Sequence, residues 1–147
     1  MPVLPSPPDL EPAAAGPASY DRPAPRWPVL LLRIIAVLTM LSVFAQSLLA
    51  GRFLSGDFDA LAMHKDNGIL GGLLALIQIA AAVLAVRVAK LPADVIAPSV
   101  IAFVAVAGEI ALGFSRVLAL HIPLGALLLV GVFRINQLSW RKNASVA

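Results

Sequence analysis

The sequence predicts an all-α membrane protein, a four-transmembrane-helix up-down bundle built from two repeated helical hairpins. Three observations predict it. Hydrophobic residues make up 60% of the 147 residues and charged residues 13%, against about 45–50% and about 25% in soluble domains, and the mean hydropathy is +0.92. The apolar residues gather into four runs of the roughly 20 residues a helix needs to cross a bilayer. The second and fourth runs open on one pattern, His-x-x-x-Gly.

Taken in order, residues 1–27 hold eight of the twelve prolines with small and acidic residues between them. Such a segment buries too little apolar surface to fold and reads as a disordered cytoplasmic tail. The first span is expected at 28–50, the second at 68–88, the third at 93–114 and the fourth at 117–135. Together they form one bundle domain over 28–136, with a C-terminal cytoplasmic tail at 137–147. None of the runs alternates, so a β-barrel is excluded. The first run exceeds the usual 7–15 residues of a signal sequence, so it reads as an uncleaved anchor.

Lysine and arginine set the expected orientation. Arg22, Arg26, Arg33, Arg87, Lys90, Arg134, Arg141 and Lys142 fall on the side of the termini, and only Arg52, Lys65 and Arg116 on the other. Both termini are therefore expected in the cytoplasm, and the protein in the cell membrane as a multi-pass protein. The net charge of +3 is small, and its few cations form no patch of the kind that binds nucleic acid. Without cysteine there is no disulfide, no thiolate metal site and no covalently attached haem.

The two outer hairpins repeat each other. The first ends its outgoing helix with Gln46 and opens the returning one with His64 and Gly68; the second does so with Glu109, His121 and Gly125. Helices two and four stand diagonally in an up-down bundle, so both imidazoles can face the core at one depth. That is the arrangement a haem with two axial histidines requires. Glycine at i+4 lies on its histidine's own face, where a missing side chain leaves room for a porphyrin edge, and Gly72 extends the bare strip. The same residues also read structurally. A histidine at an interface ends a hydrophobic run, and Gly68-Ile-Leu-Gly-Gly72 contains a GxxxG packing motif.

Glu109 lies inside the third span, where a carboxylate is costly and commonly functional. It is expected to pair with Arg116 or Arg52, to hydrogen-bond Gln46, or to serve His121. Gln46 and Ser42, one turn apart, read as interhelical hydrogen-bonding groups. Arg33 and Arg134 lie close enough to the membrane surface to snorkel. Asp57, Asp59 and Asp66 match no calcium loop and read as a solvated segment, and Pro98 and Pro123 mark kinks or first turns. No nucleophilic triad, phosphate loop or HExxH motif is present.

The stretch EIALGFSRVLALHIPLGALLL, residues 109–129, resembles the third-to-fourth helix region of haem A synthase. The chain over 28–136 is similar to one four-helix half of that enzyme. It resembles more closely a group of small actinobacterial four-helix membrane proteins of unknown function. Those share an Ala-Gly at the end of the first helix (here Ala50-Gly51), a Phe-Asp-x-x-x-x-His loop (here Phe58 to His64) and a histidine opening helix four. The resemblance implies axial-ligand roles for His64 and His121. In haem A synthase a glutamate precedes the second-helix histidine by three residues and an arginine follows it; this chain has Leu61 and Lys65 there. The resemblance therefore carries a haem-binding fold rather than that enzyme's oxygenation.

These readings lead to an integral membrane protein holding one haem b near its outer face through His64 and His121, with Gly68, Gly125 and Glu109 completing the site. Electron transfer, quinol contact or haem sensing are its expected roles, with a quinone, a redox protein or a second copy of the chain as partner. The alternative is a cofactor-free structural or accessory membrane subunit.

Overall fold

The structure is a computed structural model, and it describes Met1 and residues 25–141. The expected N-terminal tail therefore lies largely outside the described residues, as does the C-terminal tail beyond residue 141. Four α-helices follow one another: α1 (Trp27–Leu54), α2 (Asp59–Ala89), α3 (Ile96–Phe114), preceded by a 3-10 turn at Ala93–Val95, and α4 (Leu118–Trp140). No strand occurs among the described residues.

Each boundary has a local cause. Pro28 stands in the first turn of α1, where its missing N–H removes nothing the helix uses. At the far end the Ser55 N–H reaches the Gly51 and Arg52 carbonyls, and Gly56 takes φ +98, a backbone region open to glycine. Arg52 closes the turn on Asp57 at 2.5 Å. Lys90 ends α2 in the left-handed conformation, φ 56, with Pro92 just behind it to prevent continuation. Pro98 sits in the first turn of α3, whereas Pro123 lies inside α4.

Three boundaries depart from expectation, the first being the end of α1, which runs on to Leu54 rather than stopping at residue 50. The outer segment expected as loop from 51 to 66 is helical from Asp59 onward. Alanine, leucine and methionine there are good helix formers, and Asp59 in the first turn complements the helix dipole. His64 thus lies inside α2 rather than at its start. Likewise α4 runs on to Trp140, because Asn136, Leu138 and Ser139 bury themselves against the bundle.

α1 packs on α2 and α4, α3 packs on the same two, and α2 and α4 face each other across the diagonal. This is the expected up-down order. Facing positions are small on α2, where Gly68, Gly71, Ala75, Ala81, Ala82 and Ala85 are buried. They let the backbones approach closely, as packing inside lipid requires. No more than a third of any helix's apolar window is buried. Many leucine, isoleucine, valine and phenylalanine side chains are exposed on the outside of the bundle, and all four helices are long and apolar enough to cross a membrane. The protein is thus an all-α four-helix bundle of multi-pass membrane type.

At the end carrying Trp27 and Trp140, here the terminal end, Arg33 Nε donates to the Ser139 carbonyl at 2.9 Å and its guanidinium stacks 4.8 Å over the Trp140 ring. Arg141 pairs with Asp94 beside it, an exposed pair contributing at most about 1 kcal/mol. The opposite, histidine end carries the candidate site.

Candidate functional site at the histidine end

Each histidine is tied to the helix preceding it. His64 Nδ1 lies 3.1 Å from the Gln46 carbonyl of α1, and His121 Nδ1 lies 3.1 Å from the Glu109 carbonyl of α3. A carbonyl oxygen only accepts, so each Nδ1 carries the proton, and a neutral ring then presents Nε2 as a lone pair. His121 differs in one respect. Its Nδ1 also lies 2.6 Å from Glu109 Oε2, so one nitrogen meets both the carbonyl and the carboxylate of Glu109. The two rings lie 6.0 Å apart, centroid to centroid, at 72°.

The glycines explain how the polar side chains fit. A Cβ on Gly68 would meet Gln46 Nε2 at 2.8 Å, and one on Gly125 would meet Glu109 Oε2 at 3.6 Å. Each His-x-x-x-Gly face therefore admits the polar side chain of the preceding helix. Gly113 plays a related part, since its missing Cβ would stand 3.3 Å from the His121 ring. Gly72 faces Ile110 instead, 3.2 Å from its Cδ1. Across connections of different length, Gln46, His64 and Gly68 of the first hairpin take the places of Glu109, His121 and Gly125 in the second.

Of the three expected partnerships of Glu109, the geometry selects the one with His121; Arg52 is engaged by Asp57. One carboxylate oxygen, Oε1, is buried without a hydrogen bond among the described residues. Gln46 and Ser42 do bond between helices, through a residue that sequence reasoning passed over. Asn67 Nδ2 donates to the Ser42 carbonyl at 2.9 Å and to Gln46 Oε1 at 3.0 Å, and Ser42 Oγ donates to Asn67 Oδ1 at 3.2 Å. The signal was available, because Asn67 follows His64 by three residues and so shares its face. Asp57, Asp59 and Asp66 stay outside this network, and among the described residues no group of three or more His, Cys, Asp and Glu side chains is arranged to hold a metal ion.

Searches against protein families, curated proteins and solved structures find no match. The chemistry of the site therefore has to be argued from its own residues. They offer two imidazole lone pairs at one end of the bundle, one acid beside the second histidine, and an amide network beside the first.

Proposed function

We propose that this chain is an integral membrane protein that binds one b-type haem through His64 and His121 near the outer face of the cell membrane and passes electrons there, with its termini in the cytoplasm. The observation that carries this reading is the paired imidazoles. The two rings stand 6.0 Å apart, centroid to centroid, at one end of the bundle, and His64 and His121 are the residues that would hold the metal. Hydrogen bonding of Nδ1 to a backbone carbonyl, as both histidines have it, fixes the orientation and tautomer that a metal ligand needs. When bound, the haem would supply a one-electron redox couple.

The protein's own part is positional. Gln46 and Glu109 hold the two rings through their carbonyls. The Glu109 carboxylate stands 2.6 Å from the same His121 nitrogen and helps to hold the ring in place. Asn67 and Ser42 brace Gln46 from behind. The electron partner on this reading is a membrane quinone, a redox protein or a second copy of the chain.

A second reading is favoured by one specific observation. The faces bared by Gly68 and Gly125 are occupied by Gln46 and Glu109, which suits a cofactor-free accessory subunit whose histidines close a polar cluster. One experiment separates the two: absorption spectra of the detergent-purified protein, oxidised and dithionite-reduced, alongside His64→Ala and His121→Ala. A sharp reduced α-band that each substitution abolishes is the expected result. A colourless protein after expression with ample haem sinks the haem reading in favour of the second.

A further inference from the structure

Gln78 on α2 is 1% exposed, and among the described residues neither its Nε2 nor its Oε1 has a hydrogen-bond partner. It lies eleven residues from Ala89, the end of α2, or about 17 Å at 1.5 Å per residue. That is close to the middle of a hydrocarbon layer about 30 Å thick. An amide buried there without partners costs roughly 2–7 kcal/mol, and native interiors avoid such a cost with a partner or an ordered water.

The surroundings supply what a water needs. Gly71 packs on Ser42, with 3.1 Å from its would-be Cβ to the hydroxyl, and Gln78 lies two turns further along α2. Two turns down the antiparallel α1 from Ser42 are Ile35 and Ala36. Their carbonyls accept bonds from Thr39 Oγ1 at 2.9 Å and from Asn136 Nδ2 of α4 at 2.9 Å. Each carbonyl also accepts its own helix N–H, so both lone pairs are filled, whereas the buried Thr39 hydroxyl, which donates to Ile35, can still accept. Buried Ser99 of α3 adds a fourth helix to the polar set.

The internal repeat sharpens the point. By the correspondence of the two hairpins, Thr39, Ser42, Asn67 and Gln78 of the first match Ala102, Ala105, Leu124 and Ile135 of the second. Every polar member has an apolar counterpart, and Ile135 is as deeply buried as Gln78. The fold accepts a hydrocarbon side chain at the equivalent place, so the amide is a property of the first half and not a demand of the architecture.

We propose that Gln78 holds an internal water site at the centre of the bundle, linking the amide to the polar groups of α1 and α4 and continuing the Gln46–Asn67–Ser42 network into the middle of the membrane. The ligand is water itself. The site stands whether or not His64 and His121 bind a haem.

The chain contains three glutamines, Gln46, Gln78 and Gln137, so the test is direct. In full-length protein labelled with 15N-glutamine, the side-chain amide of Gln78 is assigned by its loss in Gln78→Leu. Cross-relaxation between that amide and the water resonance is the expected result. Cross-peaks to aliphatic protons alone, whether from the protein or from a co-purified molecule, overturn the site.

Discussion

A Cβ added at Gly68 would press to 2.8 Å on the Gln46 amide, while one at Gly125 would make an ordinary 3.6 Å contact with Glu109. The Gln46 amide has little room to yield because Asn67 holds it. Alanine also gains roughly 0.8–1.0 kcal/mol over glycine in a helix interior. Gly125→Ala should therefore stabilise by up to about 1 kcal/mol on that account, and Gly68→Ala should be no more stable than the native protein. Thermal unfolding in one detergent ranks the two; the reverse order would refute the fit described for the glycine faces. Asn67→Ala removes the bonds to Gln46 and Ser42 together. Interhelical bonds in membranes are worth about 0.6 kcal/mol on average and up to about 1.7, so a loss of roughly 1–2 kcal/mol is expected in the same assay. At this scale the sequence made the histidines and Glu109 legible, because an ionisable or polar residue stands out in an apolar run. Asn67 and Gln78 were equally conspicuous by that criterion. What escaped was that an amide with no charge can hold two helices together, or stand orphaned, depending on side-chain directions that spacing alone does not settle.

Among the elements, α2 shows best what hydropathy does and does not report. Its apolar part was legible as 68–88, yet its helix begins at Asp59, since backbone hydrogen bonding continues through polar residues wherever local propensity allows. Its two ends give opposite predictions. Lys90 occupies the left-handed region, which costs a residue with a Cβ roughly 1–2 kcal/mol. Lys90→Gly should raise stability by about 0.5–1 kcal/mol after the entropy of the freer unfolded chain is deducted. Gly56, at φ +98 in the turn before α2, behaves conversely, and Gly56→Ala should lower stability by about 1 kcal/mol or more. Equilibrium unfolding of the two single variants checks both signs. A common effect of both substitutions would mean that neither turn has the conformation described.

For the molecule as a whole, the order of the helices was legible from their number and short connections, while their exact register was not. The register depends on which small residue lies against which polar one. A cysteine-free chain makes that order testable by cross-linking. Ser42→Cys paired with Gly71→Cys should form a disulfide under mild oxidation, since their side-chain positions nearly touch. Ala75→Cys paired with Leu128→Cys, on the diagonal helices α2 and α4, should not. The internal repeat was visible in the sequence, and so was the exchange of Gln46 for Glu109 between its halves. The sequence offers Glu109 to His121 as one of three partners, and the structure shows that contact together with an amide network in the first half that spacing alone did not give.

The length of α2 has a consequence of its own. His64 stands 25 residues above Ala89, or about 38 Å along the helix axis, and a tilt of about 20° still leaves roughly 35 Å, more than the hydrocarbon thickness. With the terminal end of α2 at one membrane surface, the histidine pair emerges among the lipid headgroups of the other. Protons there obey the surface potential rather than the bulk solution. An anionic leaflet near −30 mV lowers the local pH by about half a unit, on the scale of 59 mV per decade for one charge. Any pH-dependent property of the pair, measured in nanodiscs of neutral and then of anionic lipid, should therefore move by about half a unit at low salt and converge as salt is added. Lipid composition would act on this site as a setting, with no residue of the protein changed.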